Sequence, residues 1–416
     1  MLAHKTNAYM SSQTRTGEFR LLVVPSWYPP NGGSFFREQA EFLAGTNFSV
    51  TVVAPVACFP RKSLRRWLVA GIRLTLRQLC KPSVEGRGRL THHFVPYPAL
   101  PTTQFWAPLH GLIFRRAFRA GFRSVTCQQS FDGALVLSMI PAARSALWLH
   151  RKTSIPVAIA EHRGRFLDSP QVPQKLARSI SSRLVKRVQS IATAYFVVSP
   201  AMLKSSRLQL HRASSRAVVL PNPIDVEAFR PRMRQSLGEQ PRFVFASVGS
   251  LVQHKGFDLV LSAFALAFQD DVPTLLRIAG TGPLLDSLVS QAQNLGIASR
   301  VEFVGQVSRS RMPRFLNSCD AFVSGSRVES FGVAIAEALS CGLPVAATRT
   351  GGAEFLVPAR VGLLSPVDDA AQLAESMRRL RSRNFQVDPV QSHMHVRQNF
   401  GPQQFSQTIL SGFVSN

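Results

Sequence analysis

From Arg242 onward, strand-like apolar runs and helical segments alternate without a break, and this alternation limits the fold more than any other feature. RFVFASVGS opens the series, and a helical segment follows from Phe257 to Phe268. Next come TLLRIAG, a GTGP turn, a helix from Leu284 to Leu295, VEFVGQV, a helix near Ser310 to Ser318, CDAFVSG and LPVAAT. Short β-branched and aromatic runs of this kind suit strands covered on both faces. Strands separated by helices pair in parallel through right-handed crossovers. The front of the chain repeats the pattern: Arg20 to Pro25 as a strand, the loop SWYPPNGGS, a helix from Phe35 to Ala44, and FSVTVVAPV from Phe48 to Val56. Further strands are expected at Gly133 to Ser138, Pro156 to Ala160, Ala194 to Val198 and Ala217 to Leu220.

A chain of 416 residues exceeds one ordinary core and divides into two domains. The proline- and charge-rich stretch LPNPIDVEAFRPRMRQSLGEQP connects them. The expected division is a polar tail over residues 1–18, a first domain over 19–221, a second over 222–395, and a C-terminal helix over 396–416 returning to the first domain. The fold class is α/β, with two Rossmann-like doubly wound domains facing a central cleft. The loops at the strand carboxyl ends of both domains open into that cleft, the natural place for ligands.

Composition narrows the partners. A net charge of +26 concentrates anions around the surface, whether anionic lipid, nucleic acid or phosphorylated substrate. No nucleic-acid-binding motif accompanies it. The five cysteines are scattered and lack CxxC spacing, which favours reduced thiols in a cytoplasmic setting and no zinc site. The amino-terminal stretch lacks the apolar region of a secretory signal, and no window of 18 apolar residues suggests a membrane span.

The chemistry concentrates in RVESFGVAIAEALSCGLPVAATRTGG, Arg327 to Gly352. Glu329 falls in the loop after a strand, a helix starts near Phe331 or Gly332, and Glu337 lies about two turns inside it. Unpaired backbone NH groups and the positive end of the helix dipole make such a start an anion site. Gly332 lets a phosphate or hydroxyl approach the backbone closely. On spacing alone two readings stand: carboxylates flanking a diphosphate, or a helix-capping Glu329 with a solvated Glu337.

This stretch resembles the E-x7-E signature of the retaining glycosyltransferases of family 4, which have the GT-B fold. VGSLVQHKGFDLVLSAF, IAGTGPLLDSL, RVEFVGQV and VVLPNPIDVEAF are similar to other motifs of that family, in the same order. SWYPPNGGSFFREQAEFL resembles the front of members that build cell-surface polysaccharides, such as exopolysaccharide or lipopolysaccharide. The resemblance implies transfer from a nucleotide-sugar donor to a glycan or lipid-linked acceptor, with no metal or other cofactor. By the same resemblance Glu337 holds the donor ribose, Glu329 contacts the transferring sugar, and Lys255 neutralises the diphosphate. Phe331, Gly332 and Val333 offer backbone NH groups to that phosphate. Gly33 belongs to a loop approaching donor and acceptor, and His162 touches the sugar or the reaction centre. Gly282, in the GTGP turn, is expected near the nucleotide base; that turn lacks the third glycine of a dinucleotide fingerprint. The family often has Arg where this chain has Ser250, and Arg327 or His254 is the expected replacement cation. Closure about Pro221 to Arg232 is expected to bring Gly33 and His162 towards Lys255 and Glu329.

Two basic segments, Arg61 to Lys81 and Phe114 to Arg123, combine arginines with Trp67 or phenylalanines at helical spacing. Such helices suit an anionic membrane surface, so the expected location is peripheral, on the inner face of the cytoplasmic membrane. They equally suit helices whose apolar faces are buried in the first domain. Two other functions use the same features: a nucleotide-sugar epimerase on this fold, and a catalytically silent anion-binding scaffold.

Overall fold

The computed structural model describes residues 18–28, 35–57, 83–97, 107–162, 182–209, 217–232, 243–268, 273–382 and 385–414. Gly33 and the basic segment from Arg61 to Lys81 lie outside these residues. The first lobe contains β1 (Phe19–Pro25), α1 (Phe35–Ala44), β2 (Phe48–Ala57), β3 (Ser83–Arg87), β4 (Leu90–Tyr97), α2 (Ala107–Thr126) and β5 (Gly133–Leu137). It continues through α3 (Ala143–Lys152), β6 (Val157–Glu161), α4 (Ser182–Ile191), β7 (Tyr195–Val197), α5 (Pro200–Gln209) and β8 (Ala217–Val219). The second lobe contains β9 (Phe243–Val248), α6 (Phe257–Ala267), β10 (Thr274–Ala279), α7 (Leu285–Asn294), β11 (Val301–Gly305), α8 (Met312–Asn317) and β12 (Ala321–Ser324). It ends with α9 (Val333–Ser340), β13 (Val345–Thr348), α10 (Gly352–Leu356), β14 (Gly362–Ser365), α11 (Ala370–Arg381) and α12 (Pro389–Phe400), and is followed by α13 (Pro402–Val414).

The first sheet has the order β3-β4-β2-β1-β5-β6-β7-β8 and the second β11-β10-β9-β12-β13-β14. These are two Rossmann-like doubly wound α/β domains. Leu21, Leu22, Val23 and Val24 of β1 are all fully buried, because helices cover both faces of the sheet. Each such side chain contributes about 1.5–3 kcal/mol through burial. One strand departs from the parallel expectation: β3 runs antiparallel to β4 as a hairpin at the sheet edge. All five residues of β3 are exposed, so it lacks the apolar pattern that would have announced it.

In each sheet one point sends successive connections in opposite directions. In the first it lies between β1 and β5; in the second, between β9 and β12. The loops diverging there leave a crevice at the strand carboxyl ends. The chain crosses between lobes twice. The connector after β8 carries Ile224, whose NH donates to the carbonyl of Phe400 at 2.8 Å, beside the second crossing at Gly401. Before it α12 packs on α9 of the second lobe, and beyond it α13 packs on α1 of the first. Phe405 and Ile409 of α13 are buried in the first lobe, and the Phe413 ring lies 5.4 Å from that of Phe19.

Candidate active site

The crevice of the second lobe is built by two loops that touch backbone to backbone. After β9 the chain makes a short 3-10 turn, Gln253–Lys255, and enters α6 through Gly256. Gly256 has φ +60°, and a Cβ there would sit 1.9 Å from the carbonyl oxygen of Gly325, just after β12. Only glycine permits this approach. It sets Lys255 beside Glu329, and the two form an ion pair although 74 residues apart. Their side chains are 26% and 17% exposed, so the pair stays open to a ligand.

Two residues beyond Ser330, Gly332 at φ +102° caps the start of α9, and no side chain occupies the cap. The carboxylate of Glu329 therefore does not cap this helix. The NH groups of the first turn have no partner within the helix, which leaves them free for an anion. The ring of Phe331 is buried against Phe400 and Phe355.

Glu337, one turn into α9 from Val333, is buried at 4% exposure, so the alternative of a solvated helix residue is corrected. Burial raises its carboxyl to about 7, against the opposing pull of Arg309. Arg309, in the loop after β11, forms an ion pair with Glu337. The same guanidinium reaches Glu38 of α1, in the other lobe, at 3.0 Å from Nη2 and 3.2 Å from Nε. It also lies over the ring of Phe229 in the connector, 4.6 Å from the centroid.

The facing wall comes from the first lobe. Glu161, at the end of β6, is 1% exposed and accepts hydrogen bonds from the Ser138 hydroxyl at 3.0 Å, Met139 NH at 2.9 Å and His162 NH at 2.9 Å. Ser26, after β1, donates to the Ser138 carbonyl at 2.7 Å. The loops after β1, β5 and β6 are thereby tied at the point where the strand order reverses. His162 rests edge-on against Phe35 and Phe36, and the Gln39 amide meets its Nε2 at 3.1 Å. Burial pushes its imidazole down to about 3, with only partial compensation from the Ala160 carbonyl. His162 is thus neutral at physiological pH, with one acceptor nitrogen. Its own carbonyl accepts from the Ser330 hydroxyl at 3.1 Å, joining the two walls one residue from Glu329.

Of the residues expected from the sequence, the structure brings together Lys255, Glu329, Gly332 and Val333, with Glu337 deeper and His162 opposite. Gly282 has a packing reason of its own: a Cβ there would stand 2.4 Å from the Leu251 carbonyl oxygen. Arg327, one of two cations expected to stand in for Ser250, is committed elsewhere. It pairs with Asp258 at 2.7 Å and Asp368 at 2.6 Å, and these hydrogen bonds raise its pKa further. Burial, and secondarily Lys255, lower the pKa of His254, which weakens it as a cation. Sequence reasoning did not single out Arg309, Glu38 or Glu161. Only Glu161 left a signal: a carboxylate ending the apolar strand VAIAE.

The GDP-mannose-dependent alpha-(1-6)-phosphatidylinositol monomannoside mannosyltransferase of Mycolicibacterium smegmatis is 33% identical over 147 residues, 32% of this chain and 38% of that protein. The D-inositol 3-phosphate glycosyltransferase of Mycobacterium marinum is 36% identical over 157 residues, 35% of this chain and 33% of that protein. The matches therefore span little more than a third of those relatives' own lengths. In fold, the sucrose-phosphate synthase of Thermosynechococcus elongatus superposes with a TM-score of 0.72 at 18% identity, covering 96% of this chain and 100% of that one. The architecture is that of the two-lobed GT-B proteins, and residues 229–394, which carry Lys255, Glu329, Arg309 and Glu337, match the family model of the glycosyl transferases group 1.

Proposed function

We propose that this protein transfers a sugar from a nucleotide-diphosphate sugar to a hydroxyl acceptor, with retention of the anomeric configuration. The observation that carries the reading is the meeting of Lys255, Glu329 and the amino end of α9 in one crevice, with Glu337 buried a turn further in. The family match of the second lobe supports it, as does the GDP-mannose named for the mycobacterial relative.

In the bound state the donor diphosphate lies between the Lys255 ammonium and the α9 NH groups, and Glu337 accepts from the ribose hydroxyls. Glu329 exchanges its bond to Lys255 for hydroxyls of the transferring sugar. The acceptor oxygen bonds to the anomeric carbon on the face from which the phosphate oxygen departs. The bond between the anomeric carbon and the donor phosphate oxygen breaks, and the acceptor proton passes to that departing oxygen. Fixed positive charge at the developing anion lowers the barrier without reorganisation, and here Lys255 and the helix supply it. No metal enters this scheme. His162, neutral and opposite and held at Nε2 by Gln39, orders the loop beneath the sugar.

The acceptor in this proposal is a lipid-linked glycan of a cell-surface polysaccharide, reached at an anionic membrane face. Among the described residues, no helix is long and apolar enough to cross a membrane. Arg115, Arg116, Arg119 and Arg123 of α2 line a cavity of about 660 Å³ and make no ion pair among the described residues. The Nε atoms of Arg115 and Arg119 are buried there without a partner, a chemistry that suits phosphate.

A thermal-shift screen against UDP, GDP, ADP and their hexose conjugates tests the donor assignment, since a ligand of the native state raises the melting temperature. Stabilisation by one nucleotide family is expected, and none by any member would overturn the reading. Conversion of a donor to another nucleotide-sugar without acceptor would replace transfer by epimerisation.

A further inference from the structure

We infer that Arg309 is a displaceable positioning residue that holds the two lobes together through Glu337 until a donor nucleoside takes its place. The inference rests on the proposed role of Glu337 and adds to it a residue that the sequence pattern did not single out.

Three contacts define the position. The guanidinium pairs with Glu337 of the second lobe, bonds twice to the same Glu38 oxygen of the first lobe, and stacks on Phe229 of the connector. It thus touches both lobes and the segment between them. The Glu337 side chain is 5% exposed, whereas Arg309 above it is 37% exposed. A ribose diol therefore reaches the carboxylate only if the guanidinium gives way. Breaking a buried pair outright is costly, because it leaves a desolvated charge behind. Replacement of the guanidinium by two hydroxyl donors lessens that cost, since the carboxylate keeps hydrogen-bond donors throughout. Arg309 leaves both carboxylates as it gives way, and Glu38, 21% exposed, is hydrated in its place.

The consequence is a competition. The Glu38 arm stabilises the arrangement in which Glu337 is covered, so it lowers the fraction of protein ready to take a nucleoside. Apparent affinity falls in proportion to that fraction. Weakening the Glu38 arm should tighten nucleotide binding, which is opposite to the loss expected from removing a direct ligand contact.

The test uses the full chain with UDP, GDP and ADP as probes, by calorimetric titration. Glu38→Gln is expected to lower the nucleotide Kd by about threefold or more, and this gain should vanish when Arg309→Gln is already present. An unchanged or raised Kd in Glu38→Gln, or a gain that persists without Arg309, would overturn the inference. Small-angle scattering of the unliganded protein tests the latch without any nucleotide. Glu38→Gln and Arg309→Gln should each enlarge the radius of gyration, and equality with the wild type overturns the latch. If wild-type protein binds none of UDP, GDP and ADP, the donor reading fails on its own while the scattering result still decides on Arg309.

Discussion

The Ser330 hydroxyl donates to the backbone carbonyl of His162 at 3.1 Å, across the boundary between lobes and next to Glu329. A net hydrogen bond of this kind contributes about 1 kcal/mol. Ser330→Ala should lower stability by about that amount in urea denaturation. Turnover should fall more than donor affinity, since the bond orders one wall of the site against the other.

Lys255 and Glu329 should separate kinetically. Lys255→Ala removes charge where the leaving diphosphate develops it, so kcat should fall at least about tenfold. Glu329→Gln preserves size and some hydrogen bonding, and should spare nucleoside diphosphate binding while depressing sugar transfer. Normal turnover in both variants, measured by released nucleotide, would refute the site.

Gly256 offers a test of local architecture. An alanine there must hold φ near +60° and place its Cβ 1.9 Å from the Gly325 oxygen. Strain of this type costs of order 1–3 kcal/mol, and relief by backbone movement displaces Lys255. Gly256→Ala should therefore lower both the melting temperature and the affinity for nucleoside diphosphate.

Two buried groups impose opposite pH dependences. The His162 pKa is depressed to about 3, below its ordinary 6.5. The unfolded chain then binds the proton first, and the contribution of His162 to stability falls as pH drops from 6.5 towards 3. His162→Gln should flatten the acid side of a melting-temperature profile.

For Glu337 the sign reverses. Its pKa is raised from 4.5 to about 7, so its contribution to stability is full below 4.5 and is lost as pH rises towards 7. Glu337→Gln should remove that decline, and the same variant should weaken nucleotide binding. A profile unchanged between these values would contradict the burial of this carboxylate.

The strands of both lobes were legible because a parallel sheet buries both faces and leaves uninterrupted apolar runs, as in Leu21 to Val24 and Val345 to Thr348. Strand β3 was not legible, since all five of its residues face solvent. Lys255, Glu329 and Glu337 could be read because they lie within contiguous motifs. Arg309 could not. Nothing in SRSRMPR distinguishes it from Arg311 or Arg314, and its partners Glu38 and Glu337 lie 271 and 28 residues away. The same limit applies to Arg327, whose partners Asp258 and Asp368 lie 69 and 41 residues away.

The polypeptide enters the second lobe through the stretch holding Ile224 and leaves it at Gly401, and these passages are bonded to each other through Ile224 and Phe400. Two strands of chain pinned side by side act like paired pins of a door. Sliding and twisting of one lobe against the other would shear that bond, whereas swinging about the line through both passages leaves it whole. The C-terminal helix, anchored on Phe19, thereby favours swinging over sliding as the relative motion of the lobes.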